Sequence, residues 1–535
     1  MCRCVVVMLR VTSFGNNTLN FLSPHTGTLA QLVEQRNIVI YRIKLSPHLW
    51  LIPRLVIKLK LIKMGKFSKK STPTKTINKA GGFAYKMDVQ SELVHAVLTT
   101  FLENKFYESG DERMQRIVDL VSKNKPQFVA NLAVISRKEF NLRSVSTALI
   151  GELAKIHKGD SLIKETIIKA TTRVDDLTEL VAYVGSPIPK QVKRGVRNAL
   201  LKFSRYQLAK YKGEGNAVSL VDLFNMTHPK VQHANKEQKK AWKDLMTGKL
   251  KSFDTWESEL SASKPEERKK IWTNLIKEDK IGYMALLRNL NNLIKEGVTD
   301  KVIDEVAKKL TDPEAVKKSK QLPFRFLTAY DNVQGNRTLT SAISDAMDIA
   351  VNNAPEFTGS TLIAIDGSGS MGGDPIKKAA IFAATLLKSH NKSDVIIYDD
   401  RVKILTVNDR MPVIELAKGI ERQATGGGTN TSLVFQYAMQ QNKKYDRVII
   451  ISDNESWQDS GYGFYSRGNG TQEAYNQYRK IADPEVFAID VQGYGTKDIQ
   501  SPKVKHLAGW SDRLLDFIVE YEKGNALVKY VENYA

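Results

Sequence analysis

The stretch TLIAIDGSGSM, residues 361–371, decides the fold of the C-terminal third of the chain. Leu362 to Ile365 are four consecutive apolar residues, a pattern typical of a strand that is covered on both faces of a sheet. Asp366 ends this strand, and the glycines and serines that follow it indicate a tight loop. Because ligands in parallel α/β sheets bind at the carboxyl ends of the strands, we expect a site for a ligand at this loop.

Strand and helix patterns alternate throughout the chain beyond residue 355. We predict strands at 361–366, 394–398, 402–407, 447–452 and 486–491, and helices at 375–388, 411–422, 432–442 and 473–482. Apolar runs such as residues 448–451, VIII, suit strands that are buried on both faces. Residues 356–535 are therefore predicted to form a doubly wound α/β domain.

Two further groups of oxygen-bearing residues fall at predicted strand or helix ends in this domain. Residues 426–431, GGGTNT, precede a helix, and Asp453 closes the strand IIISD. Hard divalent cations bind carboxylate, hydroxyl and water oxygens, and Mg²⁺ retains several waters. The three groups together predict a site for Mg²⁺ or another divalent cation, whereas the Asp-x-Ser-x-Ser loop alone would more often be structural.

Residues 89–354 show helical periodicity and almost no strand pattern. Clear amphipathic helices are predicted at 91–103, 112–123, 126–137, 144–156, 162–169 and 176–184. Helices this short and one-sided are stable only when they bury their apolar stripes against neighbours. We expect an array of helix pairs of the HEAT type, with an irregular helical bundle as the alternative, since no strict sequence period is present.

The 535 residues carry a formal net charge of +22, and this charge is unevenly distributed. Residues 1–63 contribute +8, residues 64–355 contribute +16 from 50 basic and 34 acidic residues, and residues 356–535 contribute −2. A basic excess of this size favours a polyanionic partner such as nucleic acid or an anionic membrane surface. The predicted helix after Pro189 places Lys190, Lys193, Arg194 and Arg197 largely on one face, where phosphates can bind; a solvated lysine-rich surface is the alternative.

The first 63 residues differ from the rest of the chain. They contain both cysteines, Cys2 and Cys4, and residues 28–36 resemble the mistranslated sequence of a transfer-RNA gene. We interpret residues 1–63 as an extension produced by a misassigned start, with Met64 as the natural one; a basic arm or a membrane-touching strand is the alternative. With no cysteine elsewhere and no uninterrupted apolar run of membrane-spanning length, we expect a cytoplasmic protein with no membrane partner.

The three groups in residues 356–535 are similar to the von Willebrand factor A domain and its metal-ion-dependent adhesion site. The resemblance implies that Ser368, Ser370 and Thr429 present hydroxyl groups to the cation. It also implies that Asp366 and Asp453 bind the cation directly or through water. In that family the remaining position is taken by an acidic group of a ligand.

A basic helical segment followed by this A domain resembles the Ro sixty-kilodalton autoantigen family, known for its TROVE module, in its bacterial or phage-borne members. The matching motifs cover about residues 75–535 and are GGFAY at 81–85, KYK at 210–212, DLFNMTHP at 222–229, LPFRFL at 322–327 and SDNE at 452–455. The resemblance implies a ring of helical repeats closed by the A domain. Such a ring binds small structured Y-type RNAs on its outer surface and single-stranded ends of defective RNAs in its hole.

The family's RNA-contacting lysine and histidine fall on Lys210 and His228. Glu214 stands where the family often has arginine, which weakens the expectation for Y-type RNA. We therefore predict a monomeric, non-catalytic RNA-binding protein in RNA quality control or the stress response, with small noncoding and misfolded RNA and an exoribonuclease as partners. A metal-dependent adhesion scaffold is the alternative, and a metal-dependent hydrolase ranks last because no nucleotide-binding or zinc-protease motif is present.

Overall fold

The computed structural model describes most of the chain after residue 73. The described residues are 74–99, 107–211, 216–251, 259–260, 263–355, 357–390, 392–405, 410–457, 470–509, 514–515, 518–519 and 527–534. Residues 1–63, with both cysteines, and Glu214 lie outside this set, so the predictions about them stay predictions. Within the described residues, no helix is long and apolar enough to cross a membrane.

The part of the chain before residue 355 is helical, as the sequence predicts. Its helices are α1 Val89–Leu98, α2 Gly110–Lys123, α3 Pro126–Lys138, α4 Arg143–Ile156, α5 Leu162–Ala170, α6 Asp175–Val184, α7 Lys190–Leu200, α8 Arg205–Lys210, α9 Leu220–Thr227, α10 Lys236–Met246, α11 Pro265–Lys277, α12 Tyr283–Lys295, α13 Asp300–Leu310, α14 Pro313–Ser319, α15 Leu327–Asn332 and α16 Arg337–Ala350. Side chains cap several of the helix N-termini; Ser109 and Ser219, for example, form capping boxes at α2 and α9.

These helices pack in successive pairs. Helix α3 packs on α4 and α5, α4 packs on α6, and α5 packs on α7. Each buries an apolar stripe: α7 buries Val192, Val196 and Ala199, whereas Lys190 and Arg194 are exposed. Gly195 allows α7 to approach α5 closely, because a Cβ there would lie 2.7 Å from Cδ1 of Ile167. The expected helical-repeat array is confirmed.

The part after residue 356 is an α/β domain. Its strands are β3 Thr361–Asp366, β4 Ser393–Tyr398, β5 Val402–Ile404, β6 Arg447–Ser452, β7 Glu485–Asp490 and β9 Val504–Ala508, and its helices are α17 Asp374–Ser389, α18 Val413–Gln423, α19 Ser432–Gln440 and α20 Gly470–Tyr478. The sheet order is β5-β4-β3-β6-β7-β9, and β5 is antiparallel to β4 whereas the other neighbours are parallel.

Both faces of this sheet are covered, which explains the apolar runs in the sequence. Ile363 and Ile365 of β3 face the core shared with α17 and α18, while Leu362 and Ala364 face the core shared with α19 and α20. The doubly wound domain is confirmed, with two corrections. No strand is predicted at Val504–Ala508, where β9 forms one edge of the sheet. The strand predicted at 402–407 ends at Ile404, and it forms the antiparallel edge of a mixed sheet.

A short second sheet joins the two halves of the chain. Strands β1 Lys75–Ile77 and β2 Phe83–Lys86 form an antiparallel hairpin, and β2 also pairs with β8 Thr496–Lys497 of the α/β domain. The sequence analysis predicted no strand in this region. Its strands are only two to four residues long and combine polar and apolar residues without a regular pattern.

The α/β domain contacts helices from both ends of the array. Near the first end, α1 packs on β9, and the imidazole Nδ1 of His95 lies 3.0 Å from Oδ2 of Asp490, with both side chains buried. At the other end, α16 packs on α18. The C-terminal helix α21, Leu527–Asn533, returns to pack on α3. Contacts at both ends are what the resemblance to a closed helical ring implies.

Candidate metal centre and basic helical surface

The carboxyl ends of β3 and β6 bring the first and third predicted ligand groups together. The two strands are parallel neighbours, with Ile365 paired to Ile451. Asp366 is fully buried at the end of β3, and its carboxylate accepts hydrogen bonds from the amide of Ser368 at 2.9 Å and the hydroxyl of Ser452 at 2.6 Å. One oxygen-rich site therefore includes residues from both strand ends.

The serines of the Asp-x-Ser-x-Ser loop form the wall of this site. Ser368 and Ser370 are both buried, and their hydroxyl oxygens are 3.3 Å apart. The single 3₁₀ turn Gly369–Met371 between the strand and α17 turns the two side chains to the same side of the loop. Hydroxyl groups this close suit two neighbouring positions around one cation.

The glycine-rich loop holds Thr429 against the other two groups. The amide of Gly369 donates to the carbonyl of Gly427 at 3.2 Å, and the amide of Gly426 donates to the carbonyl of Gly367 at 3.0 Å. On its other side, the carbonyl of Thr429 accepts from the amide of Trp457 at 3.0 Å. The structure therefore brings together all five predicted metal-binding residues: Asp366, Ser368, Ser370, Thr429 and Asp453.

The electrostatics of the site suit a divalent cation. Burial raises the pKa of Asp453 well above its usual value, and the nearby carboxylate of Asp366 raises it further. Burial also raises the pKa of Asp366. Oδ2 of Asp453 accepts no hydrogen bond within the described part of the chain, although it is buried. Two adjacent buried carboxylates of this kind are stabilised by a positive charge, so the residues present fit a divalent cation.

A cation site at Asp366 and Asp453 needs hydroxyl groups as additional ligands. Among the described residues, no group of three or more His, Cys, Asp and Glu side chains has an arrangement suited to a metal ion. A cation between Asp366 and Asp453 therefore needs the serine and threonine hydroxyls and water to complete its shell. This donor set suits Mg²⁺ better than Zn²⁺, which prefers nitrogen and sulfur ligands.

Three side chains that support the site received no individual role from the sequence, although two of them belong to the motif SDNE at 452–455. Ser452 donates to Asp366, Asp399 raises the pKa of Asp366 through its charge, and Glu455 raises the pKa of Asp453 in the same way. Asp399 and Glu455 follow strands β4 and β6, so the position of an acidic residue after a strand was the available signal. Ser452 is the last residue of its strand and gave no such signal.

Glu455 provides a pH-dependent test of the electrostatics. Burial raises its pKa from 4.5 to about 7, and hydrogen bonds from Ala80 and Thr496 only partly offset this effect. The carboxyl proton of Glu455 is therefore bound more tightly in the folded state than in the unfolded state. The resulting contribution to the free energy of unfolding is lost as the pH rises from 4.5 to about 7. We expect thermal melts in EDTA to show that, as the pH rises over this range, the Tm of the wild type falls relative to the Tm of Glu455→Gln. An equal pH dependence of the two proteins would contradict the assignment.

The predicted basic stripe lies on α7, and its members differ in their surroundings. Lys190 and Arg194 are exposed, and Lys193 is half-buried. The guanidinium of Arg197 instead donates to the carbonyl of Thr227 at the end of α9. Arg197 therefore helps to fix α9, in addition to any contact it makes with RNA. His228, which directly follows Thr227, is exposed and ends α9 with a left-handed backbone, φ 49°.

Lys210 belongs to a second group of cationic and aromatic side chains. Its ammonium lies 5.7 Å from the ring centre of Tyr206 and 5.8 Å from that of Tyr211. The guanidinium of Arg173, from the loop before α6, lies 4.4 Å from the ring centre of Tyr211. Aromatic rings with neighbouring cations provide both stacking and charge for single-stranded nucleic acid. The structure places Arg197 at the carbonyl of Thr227, the residue before His228, and places Lys210 near two tyrosine rings.

Two domain families match this chain. Residues 246–356 match the TROVE domain, and residues 360–483 match the Ro60 vWA domain. The second match contains the whole candidate metal centre. The first begins after the basic stripe and after Lys210 and His228, so it does not cover the residues predicted to bind RNA.

Curated relatives resemble parts of the chain. The RNA-binding protein RO60 of Caenorhabditis elegans is 28% identical over 258 residues, which are 42% of this chain and 37% of that protein. RNA-binding protein RO60 of Deinococcus radiodurans is 27% identical over 201 residues, 33% and 38% of the two chains. Telomerase protein component 1 of Mus musculus is 37% identical over 95 residues, 17% of this chain and 4% of that protein. The chain thus matches less than two fifths of the length of these relatives.

A solved structure shares the fold over most of the chain. The crystal structure of the Deinococcus radiodurans RO (RSR) protein superposes with a TM-score of 0.56 and 18% sequence identity, covering 80% of this chain and 99% of that one. A helical-repeat segment followed by a von Willebrand factor A domain is therefore the fold of this protein.

Proposed function

We propose that this chain is an RNA-binding protein of the Ro60 type, bacterial or phage-borne in origin, that uses its helical array to hold RNA. The observation that carries the proposal is the concentration of charge: residues 64–355 carry +16, whereas the metal-binding domain carries −2. A helical spacer needs no such excess, but a surface that binds phosphates does. The named RNA-binding relatives and the TROVE match support the same reading.

We further propose which RNAs the protein binds and where they bind. Small structured Y-type RNAs bind near α7, α8 and α9, and single-stranded ends of defective RNAs bind in the ring, as part of RNA quality control or the stress response. The protein acts without catalysis, as a monomer in the cytoplasm, and an exoribonuclease is the partner that degrades the RNA. The aromatic rings beside Lys210 support contacts with unpaired bases.

The A domain binds Mg²⁺ through Asp366, Ser368, Ser370, Thr429 and Asp453 in this proposal. When bound, the ion offers an open position to an acidic group of a ligand. A metal-dependent adhesion scaffold is the second candidate function. The buried Oδ2 of Asp453, which has no hydrogen-bond partner among the described residues, favours a working cation site over a purely structural loop.

The salt dependence of RNA binding tests the main proposal. A labelled RNA hairpin with a single-stranded 3′ tail is titrated with the full chain at several salt concentrations in a filter-binding assay. Each neutralised phosphate of a single strand contributes a slope of about −0.7 to a plot of log affinity against log salt, so about four contacts give a slope near −3. An affinity that does not change with salt would contradict binding through the basic surface, and DNA of the same sequence serves as the comparison.

A further inference from the structure

The hairpin of β1 and β2 lies directly against the loop that follows Asp453. The side-chain amide of Asn78 donates to the carbonyl of Ser456 at 2.7 Å, and its side-chain oxygen accepts from the amide of Gly82 at 2.7 Å. Asn78 is 5% exposed. This one side chain therefore closes the hairpin turn and also attaches the turn to residues 453–457.

Ser456 connects the hairpin to the candidate metal centre. While its carbonyl accepts from Asn78, its hydroxyl donates to the carbonyl of Thr429 at 3.3 Å and accepts from the amide of Thr431 at 3.1 Å. Thr429 is one of the proposed ligands. A direct series of contacts thus runs from the hairpin through a single residue to the metal-binding loop.

Glu455 makes a second connection between the same elements. Its carboxylate accepts from the backbone amide of Ala80 at 3.0 Å and from the hydroxyl of Thr496 at 3.0 Å. Thr496 belongs to β8, which pairs with β2 of the hairpin. The loop after Asp453 is therefore held from two directions by elements that contribute none of the five proposed metal ligands.

The close approach of the hairpin depends on Gly82. A Cβ at this position would lie 1.9 Å from the carbonyl oxygen of Ser456 and 2.7 Å from Cα of Trp457. Both are backbone atoms, so no rotation of a side chain relieves the overlap. Any side chain at residue 82 must push the hairpin and the loop apart.

We propose that the N-terminal hairpin, residues 75–86, positions the metal-binding loops of the A domain, so that cation binding and docking of the hairpin stabilise each other. The proposal rests on the proposed metal centre and adds to it a role for residues far from it in the sequence. A cation held by Asp453 and Thr429 would order the loop that follows Asp453, and the hairpin contacts this loop at Glu455 and Ser456. Because coupling between two sites is reciprocal, loss of hairpin docking weakens cation binding by the same factor as loss of the cation weakens docking.

The first experiment measures Mn²⁺ affinity by calorimetry for the full chain and two variants. Gly82→Ala separates the hairpin from the loop, and Asn78→Ala removes both of its hydrogen bonds. We expect each variant to bind Mn²⁺ about tenfold more weakly, within the usual range of coupling between sites. Ile77→Ala is the matched control, because Ile77 lies on the same hairpin but is 57% exposed, and it should bind Mn²⁺ as the wild type does.

The second experiment measures the effect of the cation on the hairpin, in the wild type and in Asp453→Ala. Hydrogen exchange of residues 75–86 should slow when Mg²⁺ is added, and Asp453→Ala should abolish this protection. If the wild type binds Mn²⁺ but Gly82→Ala and Asn78→Ala bind it equally well, the coupling is refuted and the metal centre stands. If the wild type binds no Mn²⁺, both proposals are refuted.

Discussion

Asp453→Ala is expected to lower Mn²⁺ affinity by a factor of at least about 100. The substitution removes a buried carboxylate whose Oδ2 has no hydrogen-bond partner in the described part of the chain. A carboxylate ligand or the water that it orients contributes strongly to the binding of a hard cation, so little affinity should remain. Calorimetry with Mn²⁺ measures the loss, and Glu473→Ala, which removes an exposed carboxylate from the same domain, should leave it unchanged.

Stability distinguishes a metal ligand from a residue that only supports the fold. Burial and the charge of Asp366 raise the pKa of Asp453, so the ionised side chain destabilises the folded protein without a cation. Asp453→Asn should therefore raise Tm in EDTA and lose the increase in Tm that Mg²⁺ gives the wild type. A lower Tm in EDTA would indicate a structural role. RNA affinity should change less than twofold; a larger loss in a folded variant would show that the ion takes part in RNA binding.

The candidate metal centre was predictable from the sequence because its two aspartates follow strands in a fixed order. Asp366 and Asp453 each come after an apolar run, and the carboxyl ends of neighbouring parallel strands lie together. The helical array was predictable for a similar reason, since periodicity within one segment defines a helix: α4, observed at Arg143–Ile156, was predicted at 144–156.

Contacts between distant segments were not predictable in this way. The pairing of Tyr85 with Lys497 joins strands of four and two residues, and neither has a periodic pattern. The hydrogen bond from Arg197 to the carbonyl of Thr227 likewise depends on how α7 packs beside α9. The spacing of arginines along one helix does not predict this packing. The sequence showed which residues are charged, and the structure shows which of them also support a neighbouring helix.

The test of RNA binding should therefore replace basic residues of α7 that do not support a neighbouring helix. Lys190, Lys193 and Arg194 lie on α7 without the structural role of Arg197, so their replacement should leave the fold intact. We expect the triple variant Lys190→Glu, Lys193→Glu, Arg194→Glu to lose about 100-fold in RNA affinity at low salt. It should also show a shallower salt dependence, because each lost phosphate contact removes about 0.7 from the slope.

A matched control separates a local surface from the total charge. Lys236, Lys239 and Lys240 are exposed on α10, and their replacement by glutamate changes the net charge of the chain by the same amount. Electrostatic attraction between separated charges is screened over about 10 Å at 0.1 M salt, so charge reversal at residues that do not contact the RNA should weaken binding less than charge reversal at residues that do. Filter binding of one labelled RNA to both triple variants decides the matter. Equal losses would mean that the whole basic array attracts RNA without a defined site on α7, whereas a loss confined to the α7 variant would locate the phosphate contacts there.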